Sequence, residues 1–322
     1  MGHKWSAGFL FMKLLFIISR SQVNSRLDWI IAGKVAAVSR SQVAALILEG
    51  NILVSGKKKK PGYRVKTGDV ISGLIPEPEY GENPKPQLMD LSIIFEDDYL
   101  LVLDKPAGMV VHPGPGNFSN TLVNGLLNHI PSLQDDFWDP MRPGIVHRLD
   151  KYTSGLIVVA KTLKSLLFLQ KEFKQRRVGK TYLALVRGGK IPDTGEIILP
   201  IGRHPVKRKI MAVNHETGKY AKTSWQVKQR LTDACLVAVR LYTGRTHQIR
   251  VHFYAMDMPV LGDGVYQPRS IRRKRSIAPR QMLHSRSLRF RHPFSGQKMN
   301  FKAKMPEDFV QTIAKLGAGK RQ

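Results

Sequence analysis

The stretch Gly144-Ile145-Val146-His147-Arg148-Leu149-Asp150-Lys151, followed by Thr153-Ser154-Gly155-Leu156 and Val158-Val159-Ala160-Lys161-Thr162, decides the reading of this chain. Its second half is an apolar run of the length of a buried strand, and its first half is a loop that brings an acid, Asp150, to the start of that strand. Arg148 and Lys151 flank the acid. An isolated carboxylate between cations is ordinarily explained by a surface ion pair or a turn. The length and order of the surrounding pattern give this one more weight.

Working outward, Leu100 to Asp104 reads as a short apolar strand, and Leu122, Leu126, Leu127 and Ile130 fall on one side of a helix. Thr162 to Arg176 has helical spacing at Leu163, Leu166, Leu167 and Phe173, and Tyr182 to Val186 reads as strand again. Strand-like and helix-like segments alternate without an internal repeat, so residues 89–322 are expected to form one mixed domain around a substantial sheet. Upstream, Ser39-Arg40-Ser41 opens a helix with Val43, Leu46 and Ile47 on one face and Gly50 past its end. Ile52, Val54, the Gly56 turn, Val65, Gly68-Asp69 and Val70-Ile71 then suit a small strand hairpin. Pro76, Pro78, Pro84 and Pro86 mark a semi-rigid linker. The expected organisation is an N-terminal extension over 1–25, a small domain over 26–78, a linker over 79–88 and the large domain over 89–322.

The chain has 322 residues, with 52 Lys and Arg against 24 Asp and Glu and a formal charge of +28. Such an imbalance favours a polyanionic partner, with nucleic acid ahead of an acidic membrane. Cys235 is the only cysteine, so an internal disulfide and a cysteine-built zinc site are excluded; its apolar neighbours predict a small core residue in a cytoplasmic protein. Gly8 to Ser19 is apolar, with Phe9, Leu10, Phe11, Leu14, Leu15, Phe16, Ile17 and Ile18. Lys13 interrupts the run and no small-residue cleavage site follows, so a poorly ordered extension is expected in preference to a secretion signal.

The Asp150 stretch closely resembles the signature of the pseudouridine synthase family that acts on large ribosomal RNA and transfer RNA. That family shares a His-Arg-Leu-Asp core followed by Ser/Thr-Gly-Leu and Val-Ala-Lys, and its aspartate falls on Asp150. Three further blocks resemble the same family: Lys105-Pro106-Ala107-Gly108-Met109-Val110-Val111-His112-Pro113-Gly114, Lys180-Thr181-Tyr182-Leu183-Ala184-Leu185-Val186, and Thr243-Gly244-Arg245-Thr246-His247-Gln248-Ile249-Arg250-Val251-His252 with Leu261-Gly262-Asp263 and Tyr266 after it. The first block reads as a wall element more than a catalytic one. Residues 26–78 resemble an S4 RNA-binding domain through Arg26-Leu27-Asp28, the Ser-Arg-Ser helix start, Val54-Ser55-Gly56-Lys57 and Gly68-Asp69-Val70. The chain departs from the commonest family pattern at Tyr152, where an acid is more usual, and in the basic stretch Arg269 to Arg280.

These resemblances imply an α+β protein: a mixed, largely antiparallel sheet of the pseudouridine synthase type plus a small α/β S4-like domain. They imply an enzyme that isomerises uridine in RNA, with large-subunit ribosomal RNA or a pre-ribosomal particle as partner. No cofactor and no metal are expected, because neither redox chemistry nor group transfer is involved. Asp150 is the implied essential carboxylate, Tyr182 the residue placed against the base, and Arg250 the guanidinium that reaches Asp150. Arg148 is implied to fill the stack that a flipped base vacates. Arg245, His247, Arg26, Ser39, Arg40, Ser41 and Lys57 are the further RNA-contact candidates. A helix from near Thr246 would turn Ile249, Phe253 and Met256 to the core and His247, Arg250 and Tyr254 to another side.

Rival readings find less support. A binding or ribosome-assembly protein would suit the charge and the S4-like segment but has no need of Asp150, Tyr182 and Arg250 together. A nuclease would show clustered metal-binding carboxylates and a methyltransferase a Gly-rich strand-to-helix loop, and the chain shows neither. His247 and His252 are five residues apart, with no Glu between them in the His-Glu-x-x-His manner, so they are read as RNA-contacting or structural and not as zinc ligands. Gly188-Gly189-Lys190 lacks the spacing of a phosphate loop. No signal for an oligomer or a membrane partner is visible, and a monomer is expected.

Overall fold

The structure, a computed structural model, describes residues 11–35, 40–76, 83–114, 116–188, 190–207, 210–268 and 277–318. The chain divides into two compact units, one running to Asn83 and including Trp138–Pro140, the other built from Pro84–Phe137 and from Met141 onward.

In the first unit, β1 (Phe11–Ile17) is followed by α1 (Leu27–Lys34), α2 (Arg40–Glu49), β2 (Ile52–Val54) and β3 (Val70–Pro76). The strands form one antiparallel sheet in the order β1-β3-β2. The expected hairpin is β2 and β3, and the expected face of α2 is buried at Val43, Leu46 and Ile47. Gly50 ends α2 at φ +88, the left-handed conformation that a helix stop commonly requires of glycine. The poorly ordered extension expected over 1–25 must be corrected from Phe11 onward. β1 pairs with the whole length of β3, from Phe11 opposite Pro76 to Ile17 opposite Val70, and Leu14 and Ile18 enter the core of the unit.

The second unit runs β4 (Ile93–Glu96), β5 (Leu100–Lys105), α3 (Leu122–His129), α4 (Leu133–Asp136), β6 (Ser154–Ala160), α5 (Leu163–Lys174), β7 (Gly179–Arg187), β8 (Thr194–Ile198), β9 (Ile201–Arg203), β10 (Met211–Val213), β11 (Lys222–Leu231), β12 (Ala234–Leu241), α6 (Gln248–Ala255), β13 (Leu283–Arg291), β14 (Lys298–Lys302) and α7 (Glu307–Ala318). Among the described residues, nine strands make one sheet in the order β4-β5-β6-β13-β7-β12-β11-β8, with β14 also on β13, while β9 and β10 pair separately. Every pairing is antiparallel except β6 with β13. The mixed, largely antiparallel sheet of the sequence reading is present. β6 is buried along its whole length, as an unbroken apolar run requires of a strand covered on both faces.

The parallel junction positions the site. Ser154 lies opposite His284 and Gly155 opposite Ser285, where the two strands meet for two residues only. Gly155 has φ +108, and a side chain there would come within 2.3 Å of the Ser285 carbonyl oxygen. Only glycine lets β6 begin against β13, and the Asp150 loop ends at that point. Two smaller differences from the sequence reading concern the edges of this unit. Residues 85–87, expected in the linker, are fastened to α3: Asn124 Nδ2 donates to the Lys85 carbonyl at 2.8 Å and the Gln87 N–H to the Asn124 carbonyl at 2.9 Å. Leu167 is 51% exposed, because α5 turns Leu166 and Leu169 to the sheet instead.

Candidate active site

The loop before β6 is fixed by backbone and side-chain partners on either side of Asp150. The Thr153 N–H donates to the Asp150 carbonyl at 3.0 Å, closing a turn around the acid. Lys105, buried at the end of β5, donates from Nζ to the carbonyls of Pro106, Met109 and Lys151 at 2.8, 2.9 and 3.2 Å. Burial, followed by the nearby Arg280 charge, pushes its pKa down to about 7. The Gly108 N–H also donates to the Lys151 carbonyl, at 2.8 Å. The Lys105 block is thus a wall against which the Asp150 loop is built. His147 secures the other end: Nε2 accepts from the Val158 N–H at 3.1 Å, and the ring stacks on Phe173 with centroids 4.7 Å apart. Burial pushes its pKa down to about 3, so it serves as a neutral acceptor.

Arg250 comes to Asp150 from α6, across 100 positions of sequence. Its Nη1 donates to Asp150 Oδ2 at 2.7 Å. Nε and Nη2 donate to Asp263 Oδ2 and Oδ1 at 2.6 and 3.0 Å, a two-point grip that sets the plane of the guanidinium. Burial opposes the Arg250 charge, but Asp263 and Asp150 outweigh it and push its pKa up. Burial likewise works against the Asp263 carboxylate, and the Arg250 hydrogen bonds overcome it, with the Tyr266 and Val265 N–H groups helping to hold its pKa low.

The N-cap of α6 is His247, in the left-handed region at φ 56. A non-glycine residue there costs about 1–3 kcal/mol, and the conformation turns the imidazole toward the acid. His247 Nδ1 lies 2.8 Å from the Tyr266 hydroxyl and Nε2 3.7 Å from Asp150 Oδ1. Burial, against the pull of Asp150, lowers its pKa. Gln248 organises the preceding loop by accepting from Thr243 Oγ1 and the Arg245 N–H and donating to the Lys222 carbonyl. Ile249 and Phe253 are buried as expected, whereas Met256 lies past the end of the helix and is exposed.

Tyr182 comes from β7, opposite Ser285 of β13 and Val239 of β12. It is buried, and burial raises its pKa to about 12, with the nearby Ser285 hydroxyl working against the rise and the Asp150 charge adding to it. Asp150, Tyr182 and Arg250 are therefore brought together over β6, β13 and β7, at the centre of the sheet.

Other sequence candidates have more varied settings. Arg148 is exposed, and its Nη2 donates to Thr246 Oγ1 at 3.0 Å, tying the Asp150 loop to the loop before α6. Arg245 donates from Nε to the Tyr220 carbonyl at 3.1 Å. In the first unit, Arg26 and Arg40 converge on the buried Asp28, with Arg26 donating to both of its oxygens at 3.0 Å and Arg40 Nε to one at 3.0 Å. The Arg26 hydrogen bonds hold Asp28 below the usual carboxylate range. Lys57 is exposed. Ser39 and the Ser41 side chain lie outside the described residues, as does most of the stretch from Arg269. His252 is structural, with Nδ1 2.9 Å from Thr223 Oγ1 and Nε2 3.0 Å from the Leu199 carbonyl. Two residues gain parts that the sequence reading did not give them: Asp263, which stood in the matched Leu-Gly-Asp pattern without a role, and Ser285, which no local signal marks.

A carboxylate from the loop before β6, the guanidinium from α6 that grips it and a tyrosine from β7 are thus brought together. A model of the RNA pseudouridylate synthase family matches residues 99–255, and a model of the S4 domain matches residues 25–71. An uncharacterized RNA pseudouridine synthase of Bacillus subtilis is 41% identical over 298 residues, which span 92% of this chain and 96% of that one. Ribosomal large subunit pseudouridine synthase D of Nitrosomonas europaea is 41% identical over 292 residues, 89% of this chain and 83% of that one. The solved structure of human RNA Pseudouridylate Synthase Domain Containing 1 is similar with a TM-score of 0.53 and 29% identity, over 67% of this chain and 83% of that one. The chain belongs to the RNA pseudouridine synthase family, with an S4 domain at its N-terminal side.

Proposed function

We propose that this enzyme isomerises specific uridines of large-subunit ribosomal RNA, with Asp150 as the essential carboxylate. The observation that carries the reading is the condition of that side chain. Asp150 Oδ2 is held by Arg250 at 2.7 Å, while no hydrogen bond to Oδ1 is found among the described residues and the side chain is 24% exposed. One oxygen is oriented and the other is open to a reacting atom. The choice of RNA is supported by relatives named ribosomal large subunit pseudouridine synthase D at about 40% identity.

The reaction breaks the N1–C1′ bond, turns the uracil over and forms a C5–C1′ bond; the C5 hydrogen leaves as a proton and N1 regains one. A paired or stacked uridine must first be flipped out, at a cost of a few kcal/mol, and Arg148 is suited to fill its place. Asp150 then acts either as a nucleophile at C1′, with uracil leaving, or as the base that takes the 2′ proton to give a glycal. Arg250 orients the carboxylate for either route. With its pKa at about 12, Tyr182 meets the uracil as a neutral phenol, suited to stacking and hydrogen bonding. It can accept the C5 proton only after giving up its own. The S4 domain and the basic surface supply affinity for RNA backbone. The same reading takes the protein as a cytoplasmic monomer without a membrane partner; no helix among the described residues is long and apolar enough to cross a membrane.

The test is tritium release from large-subunit ribosomal RNA labelled at C5 of uridine, with Asp150→Asn in parallel. Release by the wild-type chain alone, with RNA binding kept by the variant, is the expected result. Release by Asp150→Asn at a rate near wild type would remove Asp150 from its role, and no release by the wild-type chain from this RNA would remove the proposed substrate.

A further inference from the structure

On β7, Tyr182 and Lys180 share one face of the sheet, and Gly179, Thr181, Leu183 and Leu185 share the other. Leu183 and Leu185 are covered by the cluster that includes Phe309 and Leu316 of α7. Beyond it the same face bears Gly179, with Arg289 as its β13 partner, and Thr181, with Arg240 as its β12 partner. Gly179 is small enough for the Arg289 side chain to lie across the strand; a Cβ there would meet Arg289 Nε at 3.2 Å. Around this point a groove of about 740 Å³ opens between β7, β12, β13, β14 and the C-terminal end of α5.

Its lining is strongly one-sided in charge. Glu172 is its single acid and is paired with Arg177. Lys222, also in the lining, is paired with Glu196 at 2.9 Å. Arg176, Arg240, Arg289, Arg291 and Lys298 remain, and none of them has a carboxylate within ion-pair distance among the described residues. Solvated charged faces usually mix the two signs, since clustered like charges repel each other over a Debye length of about 8 Å. Two tyrosines keep several of these cations in place. The Tyr242 ring has Lys222 Nζ at 5.0 Å and the Arg240 guanidinium at 4.9 Å, and the Tyr220 ring has Arg176 at 5.5 Å. The groove also adjoins the active-site loop, because the Tyr220 carbonyl accepts from Arg245 Nε.

We propose that this groove is a second RNA site, which holds the phosphodiester backbone of a strand that flanks the target nucleotide. The proposal rests on the isomerase reading for its ligand class and extends it to a surface outside the Asp150 pocket. Preordered guanidinium groups suit phosphate oxygens. Tyr242 is already occupied by Lys222 and Arg240 and acts as a support for them, so the groove reads backbone without base specificity.

The test is the salt dependence of RNA binding by the full chain, with large-subunit ribosomal RNA as the probe. The groove variant carries Arg240→Gln, Arg289→Gln and Lys298→Gln; a control of equal charge change carries Lys164→Gln, Lys304→Gln and Lys315→Gln, three exposed positions elsewhere. Each lost phosphate contact lowers the slope of log K against log salt by about 0.7–0.9. The groove variant is expected to lose about 2 from that slope and to bind more weakly than the control at low salt, on every RNA sequence tried. Equal slopes for groove variant and control would overturn the proposal. So would unchanged binding to naked RNA with reduced binding to pre-ribosomal particles, which would make the partner a protein surface. Wild-type tritium release on the same RNA reads the isomerase assignment separately. A slope loss without any release would leave the groove standing and remove that assignment.

Discussion

Asp263 grips Arg250 at two points, through Nε at 2.6 Å and Nη2 at 3.0 Å, and so fixes the direction of the guanidinium N–H that reaches Asp150. Asp263 is fully buried, behind the arginine, and acts as a positioning residue. Asp263→Asn replaces a charged two-oxygen acceptor with an amide that offers one oxygen. The guanidinium then has freedom to tilt, and a displacement of about 1 Å at such a site costs about 10²-fold in rate. The expected outcome is a fall in kcat of about 10²-fold with KM little changed, measured by tritium release under saturating RNA. A change in KM alone would show that Asp263 supports the binding surface and does not orient Asp150.

Lys105 stabilises the fold more than it contributes to chemistry. Its three hydrogen bonds converge on the carbonyls of Pro106, Met109 and Lys151, and Lys105→Met would remove this donor, leaving the Lys151 carbonyl to Gly108. Below its pKa of about 7 the side chain is an ammonium, hydrogen bonds to charged groups contribute about 1.5–3 kcal/mol each, and the three share one ammonium, so a loss of about 3 kcal/mol is expected at pH 6. Thermal unfolding followed by circular dichroism should show a lower Tm. The remaining folded enzyme should keep a measurable isomerisation rate at low temperature. A Tm equal to wild type would mean that the Lys151 side of the loop is held by Gly108 alone.

Two histidines whose pKa the fold lowers make it sensitive to acid. His284, whose Nδ1 lies 3.0 Å from Ser154 Oγ, has its pKa pushed down from 6.5 to about 4, by burial first and then by Arg280. His147 is shifted in the same sense. Between about pH 6.5 and 4 the unfolded chain therefore binds more protons than the folded one, and acid favours unfolding. The stability at stake for His284 is complete above pH 6.5 and lost as pH falls toward 4, and it amounts to roughly 3 kcal/mol. Melting curves of wild type and His284→Asn across this window should show the steeper loss for wild type. Parallel slopes would mean that His284 takes up no proton on unfolding there.

Local pattern made part of this legible before any coordinates. Leu100–Leu103 of β5, Leu156–Ala160 of β6 and Leu183–Val186 of β7 are apolar runs with no polar interruption, and α3 places Leu122, Leu126 and Leu127 on its buried side, so length and period suffice. The pairing of Asp150 with Arg250 spans 100 positions and was reachable only because both stand in long motifs. Asp263 was visible as a pattern but not as a partner, because its role depends on how the chain returns after α6. Met256 and Leu167 were misplaced for a different reason: helical spacing marks a face, but the helix end and its roll against the sheet decide which residues are covered. Asn124 fastens residues 85–87 by one side-chain and one backbone hydrogen bond, a contact that the proline pattern of the linker does not encode.

β1 was hidden by its own composition. A half-buried strand shows alternating apolar and polar residues, but here Leu14 is buried while Leu15 and Ile17, at 64% and 66% exposure, are apolar as well, so the period of two disappears into a continuous run. The ladder to β3 gives that run a structural purpose. Removing residues 1–18 would strip one edge from the three-stranded sheet and uncover the contacts of Leu14 and Ile18, each contributing about 1.5–3 kcal/mol when buried. Amide hydrogen exchange should then show β3 losing protection, with β6 and β7 unchanged. Affinity for large-subunit ribosomal RNA should fall, because the S4 domain that contributes to it loosens. If β3 kept its protection in the shortened chain, β2 alone would suffice to hold it, and the apolar segment would have to be explained by something other than the sheet.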